Sequence, residues 1–198
     1  MKAKLYSIYK RFMTWIGDLM VATQPPNTKA KQIIEMQNII QVGDVICRKY
    51  TYYMDSYFIP GEYTHSGIVI SKDEIVHSIA EGVQFIHPID FIKDTDGFII
   101  LRPKYLVKED IKTATATAIK AANDKVEYDF LFNDPTKLYC HELTATCLNA
   151  AGIEVGETIL NIGVFPFKFK RVITLADNLI EICNTVYVFN RRQKSIGD

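Results

Sequence analysis

The sequence predicts an α+β fold, and three observations carry that reading. The N-terminus shows helical spacing, a block of short β runs separated by tight-turn signals begins near Val42, and helical spacing returns after Val107. At 198 residues and 48% hydrophobic content, the chain is long enough for one compact domain with a real core and short for two.

In chain order, Leu5, Ile8, Tyr9, Phe12, Trp15, Ile16 and Leu19 recur at three- and four-residue steps, so residues 3–21 read as an amphipathic helix that Gln24-Pro25-Pro26 ends. A second, short helix is expected over Lys29 to Asn38. The β runs are Asp44 to Arg48, Ser66 to Ser71, Glu74 to Ile79, Val83 to Ile86 and Phe98 to Arg102. Pro60-Gly61, Lys72-Asp73, Glu81-Gly82 and Asp96-Gly97 separate them, and turns this tight imply an antiparallel sheet. Lys108 to Asn123 reads as a helix through Ile111, Ala114, Ala118, Ile119 and Ala122. A further helix holds Tyr139 to Ala151, where Cys140, Leu143, Cys147 and Ala151 share a face and Gly152 offers a stop. Asp134-Pro135 is a competing start for it, which would move Cys140 into the second turn. Thr174 to Cys183 is expected to be helical and Thr185 to Asn190 a last strand.

Composition narrows the function classes. Lys plus Arg number 23 and Asp plus Glu number 23, and there is no long basic cluster before Arg191-Arg192, so a nucleic-acid partner is not expected. Cys47, Cys140, Cys147 and Cys183 include no C-x-x-C pair and read as free thiols of a reducing compartment. The N-terminal lysines are scattered among the apolar residues, unlike a secretory leader, and no run reaches the ~18–20 apolar residues of a membrane span. The expected location is cytoplasmic. The first helix reads first as packed on the domain and second, through its aromatic stripe and basic residues, as a peripheral membrane contact.

Cys140 is the residue with most chemical promise. A thiol is a useful nucleophile as thiolate, and Leu138-Tyr139-Cys140-His141-Glu142-Leu143 sets Cys140 near a helix N-terminus, where unpaired N–H groups favour a thiolate and later an oxyanion. Its base must come from elsewhere, because His141, the next residue, points ~100° away. His65 opens one strand and His77 lies in the next, so an antiparallel hairpin can bring the two imidazoles together on one face. The other three cysteines read as small buried hydrophobes, and His87 as structural or site-lining. Asp44 reads as a turn-holding residue and Glu142 as a brace for its helix.

The segments Gly43-Asp44-Val45-Ile46, Thr64-His65-Ser66-Gly67-Ile68-Val69-Ile70 and Ile75-Val76-His77, followed by Gly82-Val83, resemble the core of NlpC-type papain-like hydrolases. In ordinary members the nucleophilic cysteine precedes that core. Here Tyr128-Asp129-Phe130, Tyr139-Cys140-His141-Glu142-Leu143 and Ala151-Gly152-Ile153 follow it, an order that resembles the circularly permuted YiiX/YebB-like branch. The resemblance covers about residues 42–155 and implies a papain-like NlpC fold of permuted topology, its antiparallel sheet or barrel packed against the helix that carries the cysteine. It implies Cys140 as nucleophile, His65 as general base and then acid, and His77 as the residue that orients His65. Tyr139, His141 and Tyr128 are assigned to substrate-binding positions. Two departures stand out: His141 replaces a common Ser, and His77 stands where many permuted relatives have Glu.

The organisation expected is a helical extension over 1–40, a permuted catalytic domain over 41–190 and a tail over 191–198. The function expected is a cysteine hydrolase, peptidase or amidase-like or a lipid acyl hydrolase, working through a thiolate acyl-enzyme. No cofactor and no metal are expected, and the substrate is a peptide amide or a lipid-like small molecule. Tyr52, Tyr53, Tyr57, Phe58, Phe130 and Phe132 would suit an apolar substrate. The alternative is a non-catalytic module that holds a lipid or peptide on the same fold.

Overall fold

The computed structural model describes residues 2–17, 19–20, 25–51, 59–164 and 167–190. Tyr52, Tyr53, Tyr57 and Phe58, and the tail with Arg191-Arg192, lie outside the described residues. The elements run α1 (Lys2–Gly17), α2 (Ala30–Ile39), β1 (Val45–Lys49), β2 (His65–Val69), β3 (Ile75–Ile79), β4 (Gly82–Ile86) and α3 (Pro88–Ile92). They continue with β5 (Gly97–Pro103), α4 (Lys108–Asn123), α5 (Cys140–Ala150), β6 (Thr158–Val164), β7 (Phe167–Ile173), α6 (Ala176–Ile182) and β8 (Cys183–Asn190).

Six strands form one sheet in the order β4-β3-β2-β1-β5-β8, every pair antiparallel, so the fold takes the open-sheet form with β4 and β8 at its edges. The strands are short, and β2–β3 and β3–β4 are joined by the tight turns that the Lys72-Asp73 and Glu81-Gly82 signals require. At the second of these, Gly82 sits at φ +110 with the Val126 carbonyl oxygen 2.7 Å from where a Cβ would stand, so no other residue fits.

Strand alternation sends successive side chains to opposite faces. One face packs Ile68, Val76 and Val83 against α4 and α5 through Ala114, Ala118, Leu143 and Cys147. Val45, Cys47 and Leu101 extend that face toward Leu148 and α6. The other face packs Ile46, Val69, Ile75, Phe98 and Ile100 under α2 and α3 through Met36, Ile40, Phe91 and Ile92. The sheet is therefore covered on both sides, which explains why its strands read as nearly continuous apolar runs.

Three features differ from the sequence reading. The first helix stops at Gly17, short of residue 21, as the low helix propensity of glycine favours. The last helix is cut at Ile182 and β8 starts directly at Cys183, earlier than Thr185. Two elements were not expected at all: α3, and the ribbon β6–β7, in which Thr158 pairs with Ile173 and Val164 with Phe167. Asp44 holds its turn as expected, accepting from the Gln41 N–H at 2.8 Å. It also accepts two bonds from Arg102, from Nε at 2.9 Å and Nη2 at 2.8 Å.

Candidate active site

The helix that carries Cys140 begins at Cys140 itself, with Tyr139 as N-cap in extended conformation, so Pro135 is not its first position. Tyr139 offers no side-chain cap. That leaves the first-turn N–H groups facing the site, and those of Ser66, His141 and Cys140 itself bear on the sulfur and favour its thiolate. Burial acts the other way and wins. Cys140 is 1% exposed, and its thiol is pushed up to about 11, with Arg48 adding only a small downward pull. The lowered thiol pKa expected from helix position alone is thus corrected: the amides are present, but the depth of burial outweighs them.

His65 and His77 meet as expected. His77 pairs with Gly67 across the β2–β3 ladder, so the imidazoles are diagonal neighbours on one face, with His65 Nε2 and His77 Nδ1 3.0 Å apart. Phe91 of α3 backs both rings at 5.5 and 5.6 Å between centroids. This contact uses Nε2 of His65 and leaves Nδ1 for chemistry. His77 is 2% exposed, and its Nε2 has no partner among the described residues.

Cys140 approaches this pair around the start of β2 rather than across a face. Its thiol donates to the carbonyl of Thr64, the residue before His65, at 3.8 Å. Ser66, which points to the opposite face from His65, ties the helix down. Its hydroxyl donates to the Cys140 carbonyl at 3.2 Å and lies 3.0 Å from Thr144 Oγ1 and 2.9 Å from His141 Nδ1. In this arrangement the thiol rests on Thr64, and a rotation toward His65 would begin any proton transfer.

The assigned substrate positions share one cavity. Tyr139, His141 and Tyr128 all line a small cavity of about 30 Å³ against Cys140, together with Phe132 and Ile173. Tyr139 is also a structural post, since its hydroxyl accepts from the Thr174 N–H at 2.6 Å and its ring stands 4.9 Å from Phe132. A larger cavity of about 390 Å³ lies beside His65, bordered by Tyr128, Phe130, Phe132 and Arg48 and, from α1, by Met13 and Thr14. Cavities of this size suit small-molecule ligands. His87 stays outside the site: it caps α3, its Nδ1 accepting from the Ile89 N–H at 3.2 Å. Glu142 braces its helix as expected, accepting from the backbone N–H of Tyr139.

Arg48 was missed by the sequence reading. It is cross-strand to His65, donates from Nη1 to the Phe91 carbonyl at 2.6 Å, and lies over the Phe91 and Tyr50 rings at 4.3 and 4.9 Å. A cation directly after the apolar run Val45-Ile46-Cys47 was the available signal. Among the described residues no group of three or more His, Cys, Asp or Glu side chains is placed to hold a metal ion, and no helix is long and apolar enough to cross a membrane.

Three histidines are kept neutral here. Burial, then Arg48, His77 and His141, hold His65 well below 6.5; burial, then Arg48, brings His77 down to about 3; burial brings His141 down to about 4. Below 6.5 the unfolded chain takes up protons that these sites refuse, so the stability they contribute is lost as pH falls from 6.5 toward their folded values. Glu142 opposes them. Burial raises its carboxyl from 4.5 to about 7, so its contribution is full below 4.5 and lost as pH rises to about 7. Three groups outweigh one, and the thermal midpoint is expected to fall as pH drops from 6.5 to about 4. Calorimetry across that window checks this, and a midpoint that rises on acidification would refute it.

Comparison with known proteins agrees with this architecture. The sequence model of the permuted papain-like amidase enzymes, YaeF/YiiX, C92 family, matches residues 39–166. The crystal structure of the metalloprotein yiiX from Escherichia coli O157:H7 aligns with a TM-score of 0.63 at 16% identity. The alignment covers 77% of this chain and 99% of that one. No curated protein matches the chain. The structural likeness is one of fold.

Proposed function

This chain belongs to the C92 family of permuted papain-like cysteine amidases, and from that premise we propose that it cleaves an amide by acyl transfer to Cys140. The observation that carries this reading is Cys140 at the first position of α5, with open backbone N–H groups on its sulfur, next to the strand start that presents the paired His65 and His77. His65 Nδ1 takes the thiol proton, and the sulfur bonds to the substrate carbonyl carbon. The N–H groups of Cys140 and His141 hold the resulting oxyanion. The C–N bond then breaks as His65 returns the proton to the leaving amine. Water, deprotonated by His65, cleaves the thioester and regenerates the thiol. His77 holds His65 in position. No step in this cycle calls for a cofactor.

The 390 Å³ cavity beside His65, with Met13, Tyr128, Phe130 and Phe132 on its walls, supports a substrate with an apolar portion, such as a lipid-like acyl amide, over a purely polar peptide. The rival reading, a binding module without turnover, draws on the 1% exposure of Cys140 and its raised thiol. A paired assay separates them. Purified protein is offered a fatty-acyl amide and a short peptide amide, and release of free amine is followed for the wild type and Cys140→Ala. Amine release that Cys140→Ala abolishes is expected, with the fatty-acyl amide the better substrate; retention of uncleaved ligand by both proteins would establish the binding module instead.

A further inference from the structure

The family match begins at residue 39, so α1 lies outside it, yet α1 is in contact with the site. Its side chains divide cleanly around the helix. Tyr6, Lys10, Met13 and Thr14 face inward: Lys137 Nζ stands 4.5 Å over the Tyr6 ring and Lys10 Nζ 5.9 Å over Phe130, while Met13 and Thr14 border the cavity beside His65. Leu5, Ile8, Phe12 and Trp15 face outward at 70, 58, 53 and 60% exposure. Spaced by three and four residues, they form a single stripe on the helix surface.

Four large apolar side chains in one exposed stripe need an occupant, and charge identifies it. The segment Lys2–Gly17 contains Lys2, Lys4, Lys10 and Arg11 and no acidic residue, although the whole chain has no net charge. Lys4 and Arg11 are exposed along one flank of the stripe. A tryptophan and a phenylalanine between basic residues, on a helix of 16 residues too short to span a bilayer, match the chemistry of an in-plane interfacial helix. The second face of a self-associating pair would bring these cations against one another, which argues against another copy of the chain as the cover.

We infer that α1 docks the protein on a membrane surface rich in anionic lipid, with Leu5, Ile8, Phe12 and Trp15 inserted at the acyl boundary and Lys4 and Arg11 among the headgroups. The opposite face of the same helix borders the cavity beside His65. Docking therefore sets that cavity directly behind the membrane-bound element. The binding itself does not rest on the catalytic reading, so each can fail without the other.

The test is co-sedimentation of the full chain with phosphatidylcholine vesicles, with and without phosphatidylserine. Wild-type protein is expected to partition at least about tenfold more strongly onto the anionic vesicles, and added salt is expected to reduce that preference. Phe12→Ala with Trp15→Ala should cut binding to both vesicle types by about tenfold or more. Lys4→Glu with Arg11→Glu should remove the anionic preference while leaving circular dichroism unchanged, because all four positions are exposed. Equal partitioning of wild type on the two vesicle types, or unaltered binding by the Phe12/Trp15 variant, overturns the proposal. So does a wild-type dimer in velocity sedimentation that the same variant converts to monomer, which would assign the stripe to a second copy.

Discussion

His65→Ala is expected to lower turnover by roughly 10³- to 10⁴-fold, and His77→Ala by roughly 10- to 10²-fold, on whichever amide the wild type hydrolyses. The difference follows from the direction of one hydrogen bond. His65 can accept the Cys140 proton at Nδ1 only if its own proton is on Nε2, donated across the 3.0 Å contact to Nδ1 of His77. His77 then carries its proton on Nε2, a buried position without a partner among the described residues. The opposite tautomer, with His77 donating, would fail this requirement, because His65 Nδ1 would be protonated already. On the proposed mechanism His77 would therefore act through His65 as a positioning residue. Removing it leaves a base that spends part of its time in the wrong tautomer. His77→Gln, whose amide oxygen can accept from His65 Nε2, is expected to retain more activity than His77→Ala. Equal loss in Ala and Gln variants would show that His77 serves packing against Phe91 rather than tautomer control, and wild-type rates in both His65→Ala and His77→Ala would remove the pair from the mechanism.

Much of this site was legible because its parts are local. Lys108 to Asn123 was bounded to the residue, since sixteen residues give a period room to show and Val107 and Asp124 flank it. The His65–His77 contact was legible because a hairpin converts a twelve-residue separation into a diagonal neighbour. Short elements escaped. The five residues of α3 cannot display helical periodicity, although His87-Pro88 is a serviceable start signal. The β6–β7 ribbon lay in a segment left unassigned, despite the alternation Phe167-Lys168-Phe169-Lys170.

What the sequence could not supply was depth. Arg48 is close to His65 only because β1 and β2 pair in one register, and it is stabilised by a carbonyl of Phe91 contributed from forty-three residues away. The same holds for Cys140. Its place at a helix start was readable, but its enclosure by Thr64, Ser66 and Thr144 from distant or turn-spaced positions was not. That enclosure reverses the sign of its pKa shift. Burial raises the thiol and lowers His65, so both shifts favour a neutral thiol and a neutral imidazole over a standing thiolate-imidazolium couple. On the proposed mechanism, proton transfer would then accompany attack instead of preceding it.

Iodoacetamide labelling of the folded protein, followed residue by residue by mass spectrometry and in parallel with turnover, tests the central claim that Cys140 is the nucleophile. All four cysteines are buried and free, and Cys183 at 7% is more exposed than Cys140 at 1%, so exposure alone does not put Cys140 first. Chemistry does. The Cys140 thiol is held near 11, those of Cys147 and Cys183 near 12, and that of Cys47 is raised well above 9. One unit corresponds to about tenfold more thiolate at a given pH. Cys140 alone of the four borders the cavity that Tyr139 and His141 line, whereas Cys47 and Cys147 sit inside closed apolar clusters. Cys140 is therefore expected to label first, ahead of the other three. Its rate should climb through the alkaline range instead of persisting below the ordinary thiol value of ~8.5, and lost activity should track its alkylation one for one. Turnover that survives complete labelling of Cys140, or prior labelling of Cys47, Cys147 or Cys183 with activity lost in step, would contradict the account.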